Sequence, residues 1–212
     1  MTNDWLKALT FIVGLAMSLS ISAHSQQSVA SYAQLDTLAR DLSLQFMDAT
    51  QQLAALPDVE RDQRAKQLVN AQLVPHLDLE FSSLKLLGKH VRGLDRQQTA
   101  EFTKLIESQL VNMYAQVLID YKGADVALKT LQTNQGRKFA EAAVEIEKAN
   151  SERSQLIFKF KQDPQGQWRV YDVVSRQVSQ LSVKRQSLVL KISKIGFEQL
   201  NHELRQSQRN EI

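Results

Sequence analysis

Near Asp125 the spacing of apolar residues changes from steps of three and four to steps of two, and near Ser179 it changes back. A period of 3.6 belongs to a helix with one buried stripe, and a period of two to a strand with one buried face. That switch constrains the fold more than any other feature. Helices come first, a run of strands second and helices last, which is the order of an α+β domain.

Before the switch, Leu35, Leu38, Leu42, Phe46, Ala49 and Leu53 form the stripe of a helix over residues 28–55, which Pro57 ends. A second helix is predicted over about 60–73, stopped by Pro75. A shorter one carries Leu79, Leu84, Leu86 and Leu87 and closes at Gly88 and Gly93. The strongest helix follows. Asp95, with Gln98 three residues on, makes a capping-box pattern. The periodic run Phe102, Leu105, Ile106, Leu110, Met113, Tyr114, Val117, Leu118 and Tyr121 then reaches a stop at Gly123.

After the switch, residues 126–132, 139–147, 154–161 and 167–174 read as strands, with turn signals at Asn134-Gln135-Gly136 and Asp163-Pro164-Gln165-Gly166. The second of these, FAEAAVEIE, has a composition that also suits a helix, but its period is nearer two. Helix resumes at about Ser179 with Leu181, Leu188, Leu190, Ile192 and Ile195, breaks at Gly196 and finishes over 197–206. The expectation is α+β: helices packed on a small antiparallel four-stranded sheet, in one domain over 24–212. Its helical part spans 28–122, its sheet 125–175 and its C-terminal helices 178–207.

The first two dozen residues differ in kind. Lys7 precedes an apolar run, ALTFIVGLAMSLSI, and small residues follow at Ser22 and Ala23. A stretch of this length is short for a bilayer of roughly 30 Å. A charged start, an apolar middle and a small-residue end describe a secretory leader over 1–23, cleaved near Ala23. The other reading is a buried N-terminal helix. An exported chain would be permitted disulfides, yet this one has no cysteine. Packing alone must stabilise it, and thiolate chemistry is excluded.

The charge is uneven. Of 26 basic and 23 acidic side chains, 11 basic and 6 acidic lie in residues 151–212, a net of +5. A basic end suits anionic partners such as headgroups or acidic protein surfaces, or is simply a solvated face. An exported chain without a basic recognition helix gives no basis for nucleic-acid binding.

Catalytic patterns are sparse. His24, His76, His90 and His202 include no HExxH pair, and there is no GxSxG, phosphate-binding loop or dinucleotide turn. His76 with Asp78 is a weak metal pair, better read as surface or capping residues. In the strand around WRVYDVV, strict alternation puts Trp168, Val170, Asp172 and Val174 on one face and Arg169, Tyr171 and Val173 on the other. Tyr171 and Asp172 then cannot act on one atom unless a bulge intervenes. A base at Asp172 or Asp120 in a ketosteroid-isomerase-like pocket is one alternative, and an exported adaptor with no cavity is another. Expected catalytic residues and metal ligands are none. Six apolar helix faces around a modest sheet fit either a solid core or a cavity, and periodicity does not separate the two.

A resemblance does. The segment LVPHLDLEFSSLKLLGKHVRGLDRQQTAEFTKLIESQLVNMYAQVLIDYKG resembles the middle of the MlaC-like family of periplasmic phospholipid-binding proteins, also called toluene-tolerance proteins. It carries Leu73-Val74-Pro75, Asp78, the Leu87-Gly88-Lys89 turn, Gln98 ahead of Phe102, and Tyr114-Ala115 ahead of Tyr121. Gly166-Gln167-Trp168-Arg169-Val170-Tyr171-Asp172-Val173-Val174 followed by Val178-Ser179 is similar to the family's W-x-V-Y-D-V strand and helix. Gly196-Phe197-Glu198-Gln199-Leu200 is similar to its C-terminal helix. The chain departs from the pattern at Gln177, where the family usually has glycine, at His90-Val91, where an aromatic pair is common, and over 134–149.

The resemblance implies a periplasmic carrier with phospholipid as cargo and no cofactor. It would pass lipid between an outer-membrane lipoprotein–porin complex and an inner-membrane ABC transporter with an MCE subunit, maintaining outer-membrane lipid asymmetry. Holding two sixteen-carbon tails in water would cost on the order of 25 kcal/mol, so such a carrier must enclose them in an apolar cavity. Leu84, Leu87, Leu110, Tyr114, Val117, Leu118, Leu156, Phe158, Val170, Val174 and Leu181 are the expected lining. Lys89, Arg92 and Arg169, beside the matched motifs, are the expected headgroup or partner contacts.

Overall fold

The computed structural model describes residues 31–133, 138–148 and 150–210. The leader expected over 1–23 and the turn at Asn134-Gln135-Gly136 lie outside the described residues. Two compact units divide the chain, Met1–Leu38 and Ala39–Ile212. The first is described only over 31–38, which is helical. Everything below concerns the second.

Helix α1 runs over residues 39–54 of this unit, and Pro57 precedes α2, Asp58–Leu68. The periodic run predicted through residue 73 then loosens. Val69–Leu73 is a π-helical turn, and Val74–His76, with Pro75, a 3-10 turn. A five-residue change of winding leaves no mark in apolar spacing, which is why periodicity reads straight through it. Helix α3 spans Leu79–Leu87; Asp78 caps it by accepting from Phe81 N at 3.0 Å. Gly88 takes φ +56°, and a Cβ there would meet the Arg185 guanidinium of a later helix at 2.8 Å.

Helix α4, Arg96–Asp120, opens on the capping box that the spacing predicts: Gln98 N donates to Asp95 Oδ1 at 2.8 Å and Asp95 N to Gln98 Oε1 at 3.0 Å. Phe102, Leu105, Ile106, Leu110, Val111, Tyr114, Ala115, Val117 and Leu118 are all buried along it. That set is too wide for one stripe, because α2, α3 and the last helix all lie against α4.

The strands are β1 (Asp125–Thr133), β2 (Phe139–Glu147), β3 (Arg153–Gln162), β4 (Trp168–Ser175) and β5 (Val178–Ser179). They form one antiparallel meander in the order 1-2-3-4-5. Alternation predicts four strands; the fifth is two residues long, too short to carry a period. It forms because Arg176 and Gln177, with φ +51° and +63°, turn the chain back so that Ser175 pairs with Val178. Positive φ at both central residues of a two-residue loop is the geometry that matches strand twist.

One sheet face is apolar. Ala140, Ala142, Val144 and Ile146 of β2 and Leu156, Phe158 and Phe160 of β3 are buried on it. The other face carries Glu141, Glu145, Lys159 and Arg153, laced by ion pairs such as Lys129–Glu145 at 2.9 Å and Lys159–Glu141 at 3.4 Å.

Helix α5, Gln180–Ile195, packs against α3, and α6, Phe197–Asn210, against α4 and α5. The Phe102 and Phe197 rings lie 5.9 Å apart, and Leu200 and Leu204 of α6 are buried. Burying each such side chain contributes about 1.5–3 kcal/mol.

Candidate functional site

A cavity of about 50 Å³ opens between the apolar sheet face and the helices. Helix α1 contributes Leu42, Gln45, Phe46 and Ala49; the end of α2 and the π turn contribute Leu68, Val69, Gln72 and Leu73. Tyr114, Val117 and Leu118 come from α4, Leu156 and Phe158 from β3, and Val173 from β4. Among the described residues no charged side chain lines it.

The expected lining divides. Tyr114, Val117, Leu118, Leu156 and Phe158 stand in the cavity wall. Leu87, Leu110, Val170, Val174 and Leu181 are buried and Leu84 half-buried, all in the packed core outside that wall. For Val174 the reason is a bulge. In β4, Asp172 stands opposite Lys159 while Val170 stands opposite Phe160, so Tyr171 is an extra residue. An inserted residue exchanges the faces of everything beyond it. Val173 therefore joins Phe158 on the apolar face, and Val174 pairs with Ile157 on the other.

The bulge also settles where Tyr171 and Asp172 go. Tyr171 leaves the ladder to pack edge-on against Phe81 at 5.3 Å and Phe139 at 6.0 Å, on the face away from the cavity. Asp172 is 4% exposed and turned to the start of α5. It accepts from Ser179 Oγ at 2.6 Å and Leu181 N at 3.0 Å. Burial raises its pKa above the usual carboxylate value even though both bonds oppose the shift. Asp120, the other candidate base, lies half-exposed at the end of α4 with Arg176 Nη2 3.5 Å away. Neither carboxylate lines the cavity.

Of the expected contact residues, Lys89 and Arg92 are exposed on the 3-10 turn Gly88–Gly93. Arg169 is partly exposed and tied to its neighbours, donating to Pro75 O at 2.9 Å, Gln167 Oε1 at 3.1 Å and Asp163 Oδ2 at 3.4 Å. His76 and Asp78 do not converge on a common centre: Asp78 caps α3 and pairs with Lys161 at 3.2 Å. Burial, and then the nearby Arg169 charge, lower the His76 pKa.

Sequence reasoning misses Leu42, Gln45, Phe46 and Ala49, though three of these belong to the stripe that predicts α1, and a stripe does not say whether it meets a wall or a void. It misses Val69, Gln72 and Leu73 because the π turn that presents them is illegible.

A profile of the family described as MlaC protein matches residues 44–206. The chain belongs to the MlaC family. It is also 28% identical over 142 residues to the intermembrane phospholipid transport system binding protein MlaC of Haemophilus influenzae, a match covering 66% of each chain. The chain thus spans just under two thirds of that relative. Among solved structures, a phospholipid-binding protein from Ralstonia solanacearum in complex with a phospholipid aligns with TM-score 0.61 and 21% identity, over 82% of this chain and 94% of that one. At that identity the likeness is one of fold, and the MlaC-family fold agrees with the helices-on-sheet architecture above.

Proposed function

We propose that this MlaC-family chain is a periplasmic phospholipid carrier, exported on the leader over 1–23. The observation that carries the reading is the uncharged, hydrocarbon-lined cavity between α1, the π turn, α4 and the apolar sheet face. Withdrawing a chain from water is worth about 0.8 kcal/mol per methylene, so a closed apolar wall is the chemistry such a cargo requires. Pockets for drug-sized ligands measure roughly 300–1,000 Å³. At about 50 Å³ the cavity must widen to admit acyl chains. The segment from Leu68 to Leu73 can give most cheaply, since a π turn holds its backbone in a winding rarely used elsewhere.

The carrier performs no bond-breaking step in this reading. It would exchange lipid with an outer-membrane lipoprotein–porin complex and an inner-membrane ABC transporter with an MCE subunit. The exposed Lys89 and Arg92 meet headgroups or those partners. Native mass spectrometry on protein purified from a periplasmic extract without detergent tests the reading. A mass increment matching one phospholipid per chain is the expected result. A bare polypeptide, with no lipid in a solvent extract, would sink it in favour of an adaptor without cargo.

A further inference from the structure

The cavity wall is hydrocarbon with few exceptions, and one of them is anomalous. Tyr114 is 3% exposed, and its Oη meets no hydrogen-bond partner among the described residues. Phenylalanine would fill the same space without the burden of a buried, unpaired hydroxyl, and buried polar groups are ordinarily paired. A second orphan lies in the same wall: Gln45 Oε1 from α1 is also buried without a partner. Two unpaired polar atoms on side chains that line one apolar cavity point to a polar atom on what occupies it.

The chemistry narrows that atom. Burial first, and the Asp172 charge second, hold the Tyr114 phenol well above its usual pKa, so it keeps its proton and acts as a donor. Acyl methylenes accept nothing. A phosphate is a poor occupant of this wall, since no Lys or Arg lines it and an uncompensated buried charge is costly. The carbonyl of an ester is neutral, accepts two hydrogen bonds and travels at the head of a hydrocarbon chain.

We propose that Tyr114 is a polar anchor within the cavity, donating its phenolic hydrogen bond to an ester carbonyl of the bound lipid. The site therefore selects ester-linked over ether-linked diacyl lipids. Gln45 lines the same wall. The inference rests on the carrier reading and names the part of the cargo that the cavity reads. Selectivity resides in the chain linkage, not in the headgroup.

The test is a competition. Lipid-stripped protein is incubated with vesicles holding equal amounts of phosphatidylethanolamine with two ester-linked hexadecanoyl chains and phosphatidylethanolamine with two ether-linked hexadecyl chains. Native mass spectrometry reads the ratio of the two complexes. One hydrogen bond predicts a preference for the ester of about fivefold. Tyr114→Phe should bring the ratio to about one by lowering uptake of the ester-linked lipid alone, since the ether-linked lipid offers no carbonyl to the hydroxyl. Equal uptake of both lipids by the parent, or an undiminished preference in Tyr114→Phe, overturns the anchor and leaves the carrier standing. Uptake of neither lipid overturns the carrier reading itself.

Discussion

Val173 of β4 stands opposite Phe158 of β3, one place out of step with the alternation that begins at Trp168. The bulge at Tyr171 makes that pairing, and with it the far half of the strand changes face. Val173 becomes cavity wall, while Asp172 turns to Ser179 and Leu181 at the head of α5. One inserted residue thus separates the wall from the joint that supports it.

Enlarging Val173 should therefore obstruct the cavity, and enlarging its neighbour should not. Val173→Phe places a ring in a space of about 50 Å³. We expect recovered lipid to fall several-fold, with stability lowered by about 1–3 kcal/mol, as for other overpacked sites. Val174→Phe, on the opposite face, should carry a comparable stability cost and leave lipid recovery at the parental level. The comparison is made by solvent extraction of the two purified variants. Equal loss of lipid in both would contradict the assignment of faces.

Gln177 occupies a left-handed position, φ +63°, in the two-residue turn before α5. A residue with a Cβ carries strain there of about 1–2 kcal/mol, partly offset for glycine by its greater freedom when unfolded. Gln177→Gly should raise stability by about 0.5–1 kcal/mol, or about 1–4 °C in melting temperature for a domain of this size. Gln177→Val should lower it. A thermal melt of both variants decides, and a glycine variant less stable than the parent would contradict the turn geometry.

Asp172 makes a signed prediction about pH. Its folded carboxyl binds a proton more tightly than the unfolded one, whose ordinary value is 3.8. Stability from this group is thus full below that value and is lost as pH rises through the raised folded value. Asp172→Asn does not ionise and keeps an oxygen for the Leu181 N–H. Its stability relative to the parent should improve as pH rises from about 4 and then level off. Urea midpoints at several pH values measure this; a difference that stays flat across the range would show that the carboxyl is not perturbed.

The capping box at Asp95 has a local consequence. Asp95→Ala leaves Gln98 N without its acceptor at the mouth of α4, at a cost of about 1 kcal/mol. Because the cap lies a helix length from Tyr114, lipid recovery should not change. Denaturant unfolding and lipid extraction on the same preparation separate the two effects.

The elements were legible because each is written in a local period. Helix α4 could be read from its capping residues and its run of apolar steps, and β2 from a period of two that outweighs its helix-favouring composition. Family membership was legible in the order of short motifs, from Leu73-Val74-Pro75 to Gly196-Phe197. Much of the wall was not. Val69, Gln72 and Leu73 reach the cavity only through a π turn, and Val173 replaces Val174 only through a bulge. Each device displaces the chain by about one residue, which a period measured over several residues averages away.

The sequence by itself determined the order of helices and longer strands, which family the chain joins and that its stability must come from packing without disulfides. Tertiary structure decided which buried side chains meet a void and which meet other side chains. Apolar character is a property of a residue, but a cavity is a property of the space that several distant elements fail to fill. Tyr114 shows the difference: its place on α4 was plain from spacing, while its place in a cavity wall, with a buried and unpaired hydroxyl, exists only once α1, β3 and β4 have closed around it.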